Sequence, residues 1–265
     1  MKKIKLLGIA AAAICVAGLS TGAARADVLD DMMKAKTIRI ATDLAIPPSG
    51  MMDANLKPIG SDVETAQLLA KDWGLKLEFV QTTGATRIPN LQTGKADIAI
   101  STLSVTPERA KVVDFSKPYA VLQSVIAARK DMPIRNLDDL KGKTVSVTRG
   151  TTQDVELTAI AKDKGFQLAR YDDDATDVTA AVSGQSDIVA TSLTIVKQIT
   201  KQNPARPFES KIVLHVFDLA VGVKKGEPRL LAKLNDWISV NLKNGKLNAI
   251  YKKYHGVDLP AHMLQ

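Results

Sequence analysis

The chain contains few cysteine, histidine and aromatic residues, and these shortages exclude several kinds of site. Of its 265 residues, one is cysteine, three are histidine and 4% are aromatic. A single cysteine cannot form an intrachain disulfide or a cysteine-based zinc site. With three histidines and one cysteine, the sequence suggests no metal cluster, no catalytic triad and no activated thiol. It also contains no glycine-rich phosphate loop. We therefore expect no catalytic residue, no metal and no cofactor.

Long apolar runs are also missing, except for a short one near the N-terminus that fits a signal for export. Residues 1–5 are basic, residues 6–19 are apolar, and residues 24–26 read Ala-Arg-Ala. This order is typical of a secretory signal peptide. Because Cys15 follows isoleucine rather than a small residue, we expect no lipidation. Cleavage after residue 26 would leave a soluble, cysteine-free periplasmic protein.

Positive charge exceeds negative charge, but the excess is small and dispersed. The formal net charge is +8, and residues 1–26 supply four of these charges and no acid, so the mature chain carries +4. No run of lysine and arginine marks a nucleic-acid surface. We therefore expect no nucleic-acid partner.

Apolar periodicity alternates between strands and helices along the mature chain. Residues 37–41 and 75–80 alternate as strands, and residues 61–73 have helical spacing. Ser61 and Glu64 predict a capping box, with a helix stop at Gly74. Later strands are predicted at 96–100, 143–148, 166–171, 186–190 and 212–223, and later helices at 88–92, 152–164, 175–183 and 247–254, and from Thr106-Pro107 and Pro228. Such alternation favours an α/β fold with a largely parallel sheet.

One segment occurs twice in similar form. Residues 91–102 and 181–192 both read Gly-x-x-Asp-Ile-x-x followed by two hydroxyl residues, Ser101-Thr102 and Thr191-Ser192. Two similar α/β lobes would explain the repeat, and each hydroxyl pair would then follow a buried strand. Open α/β sheets bind ligands at the carboxyl ends of their strands. We expect both pairs at one cleft, and structural roles for Asp97 and Asp187.

Arg109 is the leading candidate for a ligand-binding residue. It lies in the first turn of a predicted helix, where a positive charge opposes the helix dipole. A ligand carboxylate would explain the charge, since arginine binds carboxylates through two parallel hydrogen bonds. Residues 149–152, at the start of another predicted helix, offer free N–H groups for the same anion.

These motifs resemble those of bacterial extracellular solute-binding proteins, family 3, the periplasmic receptors of polar amino acid ABC transporters. The resemblance rests on residues 60–64, 94–97, 104–109 and 113–119 in the first lobe, and on 137–143 and 150–152 in the second. The block from Thr-Pro-Glu-Arg to Asp-Phe-Ser-x-Pro-Tyr is the most specific part. The match extends over about residues 37–256.

The resemblance implies an α/β, two-lobed periplasmic binding protein fold of type II, with two crossover hinge strands. Lobe 1 would comprise residues 27–121 plus 219–265, and lobe 2 residues 122–218. By the family pattern, Arg109 binds the ligand α-carboxylate. Ser104 and the Thr102 backbone would assist from lobe 1, and Thr152 from lobe 2.

Three positions depart from the family pattern. Ser192 stands where an aspartate usually binds the ligand α-ammonium, and Ile46 and Gly84 stand where aromatic residues usually stack on the ligand. Asp43, or a residue of Asp172–Asp174, could supply the missing negative charge. Alternatively, the ligand has no free α-ammonium, as in opine-like or N-substituted compounds.

The resemblance predicts a monomeric protein that binds an amino acid or amino-acid-like carboxylate and delivers it to an inner-membrane ABC transporter permease by clam-shell closure. A ligand-sensing receptor partner is one alternative. A periplasmic enzyme of the same fold, similar to cyclohexadienyl dehydratase, is another. Such an enzyme needs a general acid in the cleft, and no acid stands out at the matched ligand positions. We therefore expect a binding protein rather than an enzyme.

Overall fold

The computed structural model describes residues 27–264, in which helices and strands alternate. The predicted signal peptide, residues 1–26, lies outside the described residues. The helices are α1 (Val28–Ala35), α2 (Ser61–Trp73), α3 (Arg87–Gln92), α4 (Pro107–Ala110), α5 (Thr152–Lys164), α6 (Asp174–Ser183), α7 (Leu193–Gln202), α8 (Pro228–Lys243) and α9 (Lys246–His255). The strands are β1 (Thr37–Thr42), β2 (Met51–Met52), β3 (Pro58–Ile59), β4 (Lys76–Gln81), β5 (Ile98–Ala99), β6 (Val113–Arg129), β7 (Thr144–Thr148), β8 (Gln167–Tyr171), β9 (Ile188–Ser192) and β10 (Phe208–Lys224). Across 27–264, no helix has the length and apolar character needed to span a membrane.

The main sheet has eight strands in the order β4-β1-β5-β10-β6-β9-β7-β8. β1 pairs in parallel with β4 and β5 at one end, and β7 pairs in parallel with β8 and β9 at the other. Between these ends, β6 and β10, of 17 residues each, lie antiparallel to each other. The predicted α/β class is confirmed, and β6 and β10 are the two crossover strands that join the two halves.

Each half has its own hydrophobic core. In the first half, Ile38 and Leu69 belong to a buried cluster that also contains residues of α8. In the second half, Val145 and Leu157 belong to another. Along β6, Leu122 packs against the first core and Ile126 belongs to the second. The predicted domain boundaries, 121/122 and 218/219, fall inside the crossover strands and stay a prediction.

The repeated aspartates make ion pairs at the start of equivalent strands. Asp97 accepts hydrogen bonds from the Arg39 N–H at 2.7 Å and from Arg39 Nη2 at 2.5 Å. Asp187 accepts one from Arg206 Nη2 at 2.7 Å. Both aspartates therefore have structural roles, as the sequence predicts.

Two predicted helix ends form as the sequence rules predict, and one predicted cap does not form. Thr106 caps α4 ahead of its first residue, Pro107, and Gly74 ends α2 in the left-handed conformation with φ 66°. The capping box predicted for α2 does not form, because Gly60 is the N-cap and Ser61 is already helical. Ser61 Oγ instead lies 3.1 Å from His255 Nε2 on α9. The capping box prediction is therefore wrong, and tertiary contact with α9 replaces it.

Candidate functional site

A cavity of about 40 Å³ lies between the two halves, at the carboxyl ends of their strands. The first half contributes the segment after β5, and the second half contributes the ends of β7 and β9 with the helices that follow. Its lining residues are Ile46, Arg87, Thr102, Ser104, Arg109, Leu122, Thr151, Thr152, Gln153, Asp174, Ala190, Thr191, Ser192 and Ile195. The structure thus brings together six of the eight predicted site residues. Asp43 and Gly84 are the two that do not line this cavity.

Arg109 connects the two halves across the cavity. The Thr106 hydroxyl accepts a hydrogen bond from the Arg109 N–H at 3.2 Å, which fixes the first turn of α4. Arg109 Nη1 donates to the Ser104 carbonyl at 3.0 Å, and Nη2 donates to the Gly150 carbonyl of the other half at 3.1 Å. Burial, with a smaller effect of the Arg87 charge, lowers the pKa of Arg109 to about 9. The guanidinium therefore stays cationic at neutral pH.

Arg87 is a second cation at the cavity, and the sequence analysis missed it. Its side chain is 4% exposed, and Nη1 donates to the carbonyls of Ser101 at 2.6 Å and Thr102 at 3.2 Å. The nearest acid is Asp43, whose Oδ2 lies 3.9 Å from Arg87 Nη2. The signal that identified Arg109, an arginine in the first turn of a helix, also applies to Arg87, the first residue of α3.

Asp43 lies behind the cavity wall rather than in the wall. Its Oδ1 accepts a hydrogen bond from the Ala45 N–H at 2.9 Å, while Oδ2 has no hydrogen-bond partner within 27–264. Burial raises the pKa of Asp43, and the Arg87 charge opposes that rise. Asp43 is thus placed as the counter-ion of Arg87.

A buried network holds Thr102 in an uncommon backbone conformation. Thr102 has a positive φ of 44°, which few residues other than glycine adopt. Its N–H donates to Asp62 Oδ2 at 2.6 Å, and the Tyr119 hydroxyl donates to Asp62 Oδ1 at 2.7 Å. Burial raises the pKa of Asp62 to about 6. Because Asp62 already binds the Thr102 amide, the predicted help from the Thr102 backbone does not include that amide in this structure.

Helices α5 and α7 of the second half begin at the cavity. Thr151 caps α5 by accepting a hydrogen bond from the Asp154 N–H at 3.2 Å, and Thr152, the first helical residue, is buried. Ser192 is the N-cap residue of α7, and its Oγ lies 3.0 Å from Thr194 Oγ1. The N-terminus of a helix carries a partial positive charge and free N–H groups, so both ends favour an anion in the cavity.

Asp174 is the acidic residue that lines the cavity. It is 6% exposed, and its Oδ1 accepts a hydrogen bond from Thr148 Oγ1 at 3.1 Å. Its Oδ2 has no hydrogen-bond partner within the described chain. Burial, and then the neighbouring charge of Asp43, raise the pKa of Asp174 to about 7. An unpaired carboxylate in such a place favours a cationic group of a ligand.

The other two aspartates of the 172–174 run lie outside the cavity wall. Asp172 is exposed and pairs with Arg149, whose Nε lies 2.9 Å from its Oδ1. Asp173 caps α6 by accepting a hydrogen bond from the Thr176 N–H at 2.8 Å. The sequence did not show which aspartate of this run could replace the ammonium-binding residue usual in the family. Of the three, Asp174, the first residue of α6, is the one that lines the cavity.

The positions without aromatic residues lie where the two halves meet. Ile46 is buried and packs with a core cluster of the second half. Gly84 approaches the second half so closely that a Cβ atom on it would lie 2.6 Å from the Arg149 carbonyl oxygen. A Cβ on Gly150 would lie 2.8 Å from Ala85 Cα. In this closed arrangement, no side chain fits at Gly84.

Residues 27–264 contain no group of three or more histidine, cysteine, aspartate or glutamate side chains placed to hold a metal ion. The groups that border the cavity offer a ligand hydrogen bonds and charge. The cavity has two cations and two helix N-termini for an anion, and one buried acid for a cation.

Comparisons with known proteins identify the family and the fold. The family of bacterial extracellular solute-binding proteins, family 3, matches residues 38–257. The L-cystine-binding protein TcyJ of Escherichia coli is 29% identical over 258 residues, which cover 96% of each chain.

Two solved structures extend the comparison. The solute receptor for L-cysteine of Neisseria gonorrhoeae has a TM-score of 0.80 and 34% identity, and the match covers 86% of this chain and 93% of that one. An ancestral amino acid-binding protein, a precursor of cyclohexadienyl dehydratase, has a TM-score of 0.76 and 34% identity, with coverage of 85% and 98%. The chain has the type II periplasmic binding protein fold, and it belongs to the bacterial extracellular solute-binding proteins, family 3.

Proposed function

We propose that the protein is a periplasmic, monomeric receptor that binds an amino acid or amino-acid-like carboxylate and delivers it to an inner-membrane ABC importer. The observation that carries this proposal is the position of Arg109. Its guanidinium borders the cavity, stays cationic at neutral pH and contacts both halves, through Ser104 and Gly150. A carboxylate bound there contacts both halves at once.

The carboxylate of the ligand binds between Arg109 and the start of α5. A carboxylate accepts two parallel hydrogen bonds from a guanidinium, and charge-assisted bonds of this kind are the strong ones. Thr152, buried in the first turn of α5, adds the positive end of a helix from the other half. Ser104 holds Arg109 in place through its carbonyl.

The ammonium group of the ligand binds at Asp174 rather than at residue 192. Ser192 lines the cavity but carries no charge, whereas Asp174 is buried there with one oxygen unpartnered. A buried ammonium needs a compensating charge. This pose permits an ordinary amino acid in a shifted position, which is one of the two alternatives that the sequence left open.

The named ligands of the relatives support an amino acid as the ligand class. The Escherichia coli relative is named for L-cystine, and the Neisseria gonorrhoeae structure is named for L-cysteine. Binding closes the two halves, because the proposed contacts come from both and so favour the closed state.

The proposal is tested by a thermal-shift screen of the mature chain against amino acids, opines and other carboxylates, followed by calorimetry of each hit. A ligand that binds only the folded protein raises the unfolding midpoint, and above Kd the stabilisation grows with the logarithm of the ligand concentration. We expect at least one amino acid to bind, and Arg109→Ala to weaken it. A screen in which no carboxylate raises the midpoint would count against the proposal. Uptake of the labelled hit by a deletion strain tests delivery to the importer.

A second candidate function is catalysis by Asp174. With a pKa of about 7, this buried carboxyl is partly protonated at neutral pH, as a general acid must be. One structural neighbour is a precursor of a dehydratase. Incubation with a cyclohexadienol carboxylate, followed by absorbance of the aromatic product, separates the candidates. Turnover that Asp174→Asn abolishes would favour the enzyme over the receptor.

A further inference from the structure

A second cavity, of about 190 Å³, adjoins the first. The two cavities share four lining residues: Ile46, Thr102, Leu122 and Ser192. The second cavity extends along the crossover strands, where it contacts Gln123 of β6 and Leu219 of β10. A ligand held at Arg109 therefore has adjoining space into which one end can continue.

The walls of the second cavity are mostly apolar or aromatic. Val121, Leu193 and Leu219 supply aliphatic surface. Tyr251 and His255 of α9 are stacked with their ring centroids 4.2 Å apart. Burial, with a smaller effect of the Lys197 charge, lowers the pKa of His255 to about 4, so this ring is neutral at neutral pH. Such walls favour a methylene or thioether chain over a polar one.

Lys197 gives this apolar cavity a single charge. Among the residues that line it within 27–264, Lys197 is the one that is charged at neutral pH, and none is acidic. Lys197 is exposed to solvent and makes no hydrogen bond or ion pair with another residue of the described chain. It lies on α7, whose N-cap residue, Ser192, borders both cavities. The N-cap residue of α7 therefore borders both cavities, and α7 itself carries Lys197, the cation of the second cavity.

We propose that the ligand is an α-amino acid with an extended, apolar side chain that ends in a second carboxylate, and that this carboxylate binds Lys197. The inference rests on the proposed function, since Arg109 must hold the first carboxylate. The apolar part of the ligand side chain passes Ile46 and Leu122, which border both cavities, and lies against the stacked rings of Tyr251 and His255.

The test compares acids with their matched amides. The probes are L-glutamate, L-α-aminoadipate, L-α-aminopimelate and L-α-aminosuberate, each measured by calorimetry beside its ω-amide. In the wild-type mature chain, we expect one of the longer acids to bind about tenfold more tightly than its amide, as a charge-assisted hydrogen bond supplies. Lys197→Gln brings that ratio close to one, whereas Lys197→Arg keeps most of it.

Lys201→Gln is the matched control. Lys201 is exposed on the same helix and lines neither cavity, so its loss leaves the acid-to-amide ratio unchanged. A ratio near one at every chain length in the wild type would overturn the inference, as would a ratio that Lys197→Gln does not alter. If both acids and amides bind and depend on Arg109, that result leaves the proposed function standing. If no probe binds and the wider screen finds no carboxylate, the proposed function itself has failed.

Discussion

Replacing Asp174 by asparagine tests binding and stability together. Asparagine has nearly the same shape as aspartate but cannot ionise, so it removes the proposed partner of the ligand ammonium with little change in packing. We expect Asp174→Asn to weaken binding of an α-amino acid by at least about tenfold, since charge-assisted hydrogen bonds contribute roughly 1.5–3 kcal/mol. The same change stabilises the free protein, because it removes a buried charge.

The magnitude of the stabilisation follows from the pKa. Burial raises the pKa of Asp174 from 3.8 to about 7. At 1.36 kcal/mol for each pH unit, ionised Asp174 lowers the free energy of unfolding by up to about 4 kcal/mol above pH 7. The unfolded state loses this proton at lower pH than the folded state, so the cost grows as pH rises from about 4 to 7. The advantage of the asparagine variant is therefore largest at pH 8 and absent below pH 4.

The assay is urea unfolding at several pH values between 4 and 8, with calorimetry for the ligand. Asp177→Asn is the matched control, because Asp177 lies on the same helix, is buried and has a pKa raised to about 7, but does not line the cavity. For both variants, the stability advantage over the wild type grows with rising pH, and only Asp174→Asn loses ligand affinity. Unchanged affinity in Asp174→Asn would refute the ammonium site, and a stability difference independent of pH would refute the burial argument.

Three further substitutions examine the rest of the cavity. Arg109→Ala weakens binding by at least about tenfold in calorimetry, and Arg109→Lys recovers part of the loss; equal affinities would contradict the carboxylate site. Gly84→Ala places a Cβ 2.6 Å from the Arg149 carbonyl, so ligand should shrink the radius of gyration in small-angle scattering less than in the wild type. An identical ligand-induced change would show that the halves do not close this tightly. Ser192→Asp introduces the residue usual in the family at a helix N-cap that tolerates it, yet leaves the affinity for α-amino acids little changed, because the proposed ammonium site is Asp174; a large gain in calorimetry would place the ammonium at residue 192 instead.

Local sequence rules predicted the elements whose ends are defined by neighbouring residues. The helices Ser61–Trp73 and Thr152–Lys164 have the predicted bounds because a glycine follows each of them in the left-handed conformation. The motif around Arg109 likewise predicted its position, since Thr106 caps the helix from three residues away. In these cases the determining contacts lie within a few residues of one another.

Features that depend on distant parts of the chain were missed or left open. The 17-residue length of the crossover strands follows from their pairing with each other, not from alternation within either one. The sequence analysis did not predict helix α7, which begins at Leu193 after an N-cap serine, Ser192, whose side chain makes no cap hydrogen bond. Arg87 reaches the cavity through contacts with carbonyls 14 and 15 residues away. The sequence could not show that Asp174, rather than Asp172 or Asp173, lines the cavity, because this depends on where α6 begins.

Under the proposed function, the distribution of charge between the halves would give the ligand a physical role in closure. Arg87 and Arg109 belong to the first half, and the charge of Arg87 helps to lower the pKa of Arg109, which shows that the two guanidiniums repel each other. Asp174 belongs to the second half and keeps one oxygen without a hydrogen-bond partner in the described chain. A bound zwitterion relieves both costs, because its carboxylate neutralises the arginines while its ammonium pairs with Asp174. A ligand lowers the free energy of the closed state only by its differential affinity for that state. An amino acid with a free carboxylate and a free ammonium therefore has a larger differential affinity for the closed state than a simple carboxylate has. The simple carboxylate neutralises the arginines and binds at the start of α5, but it leaves Asp174 unpaired.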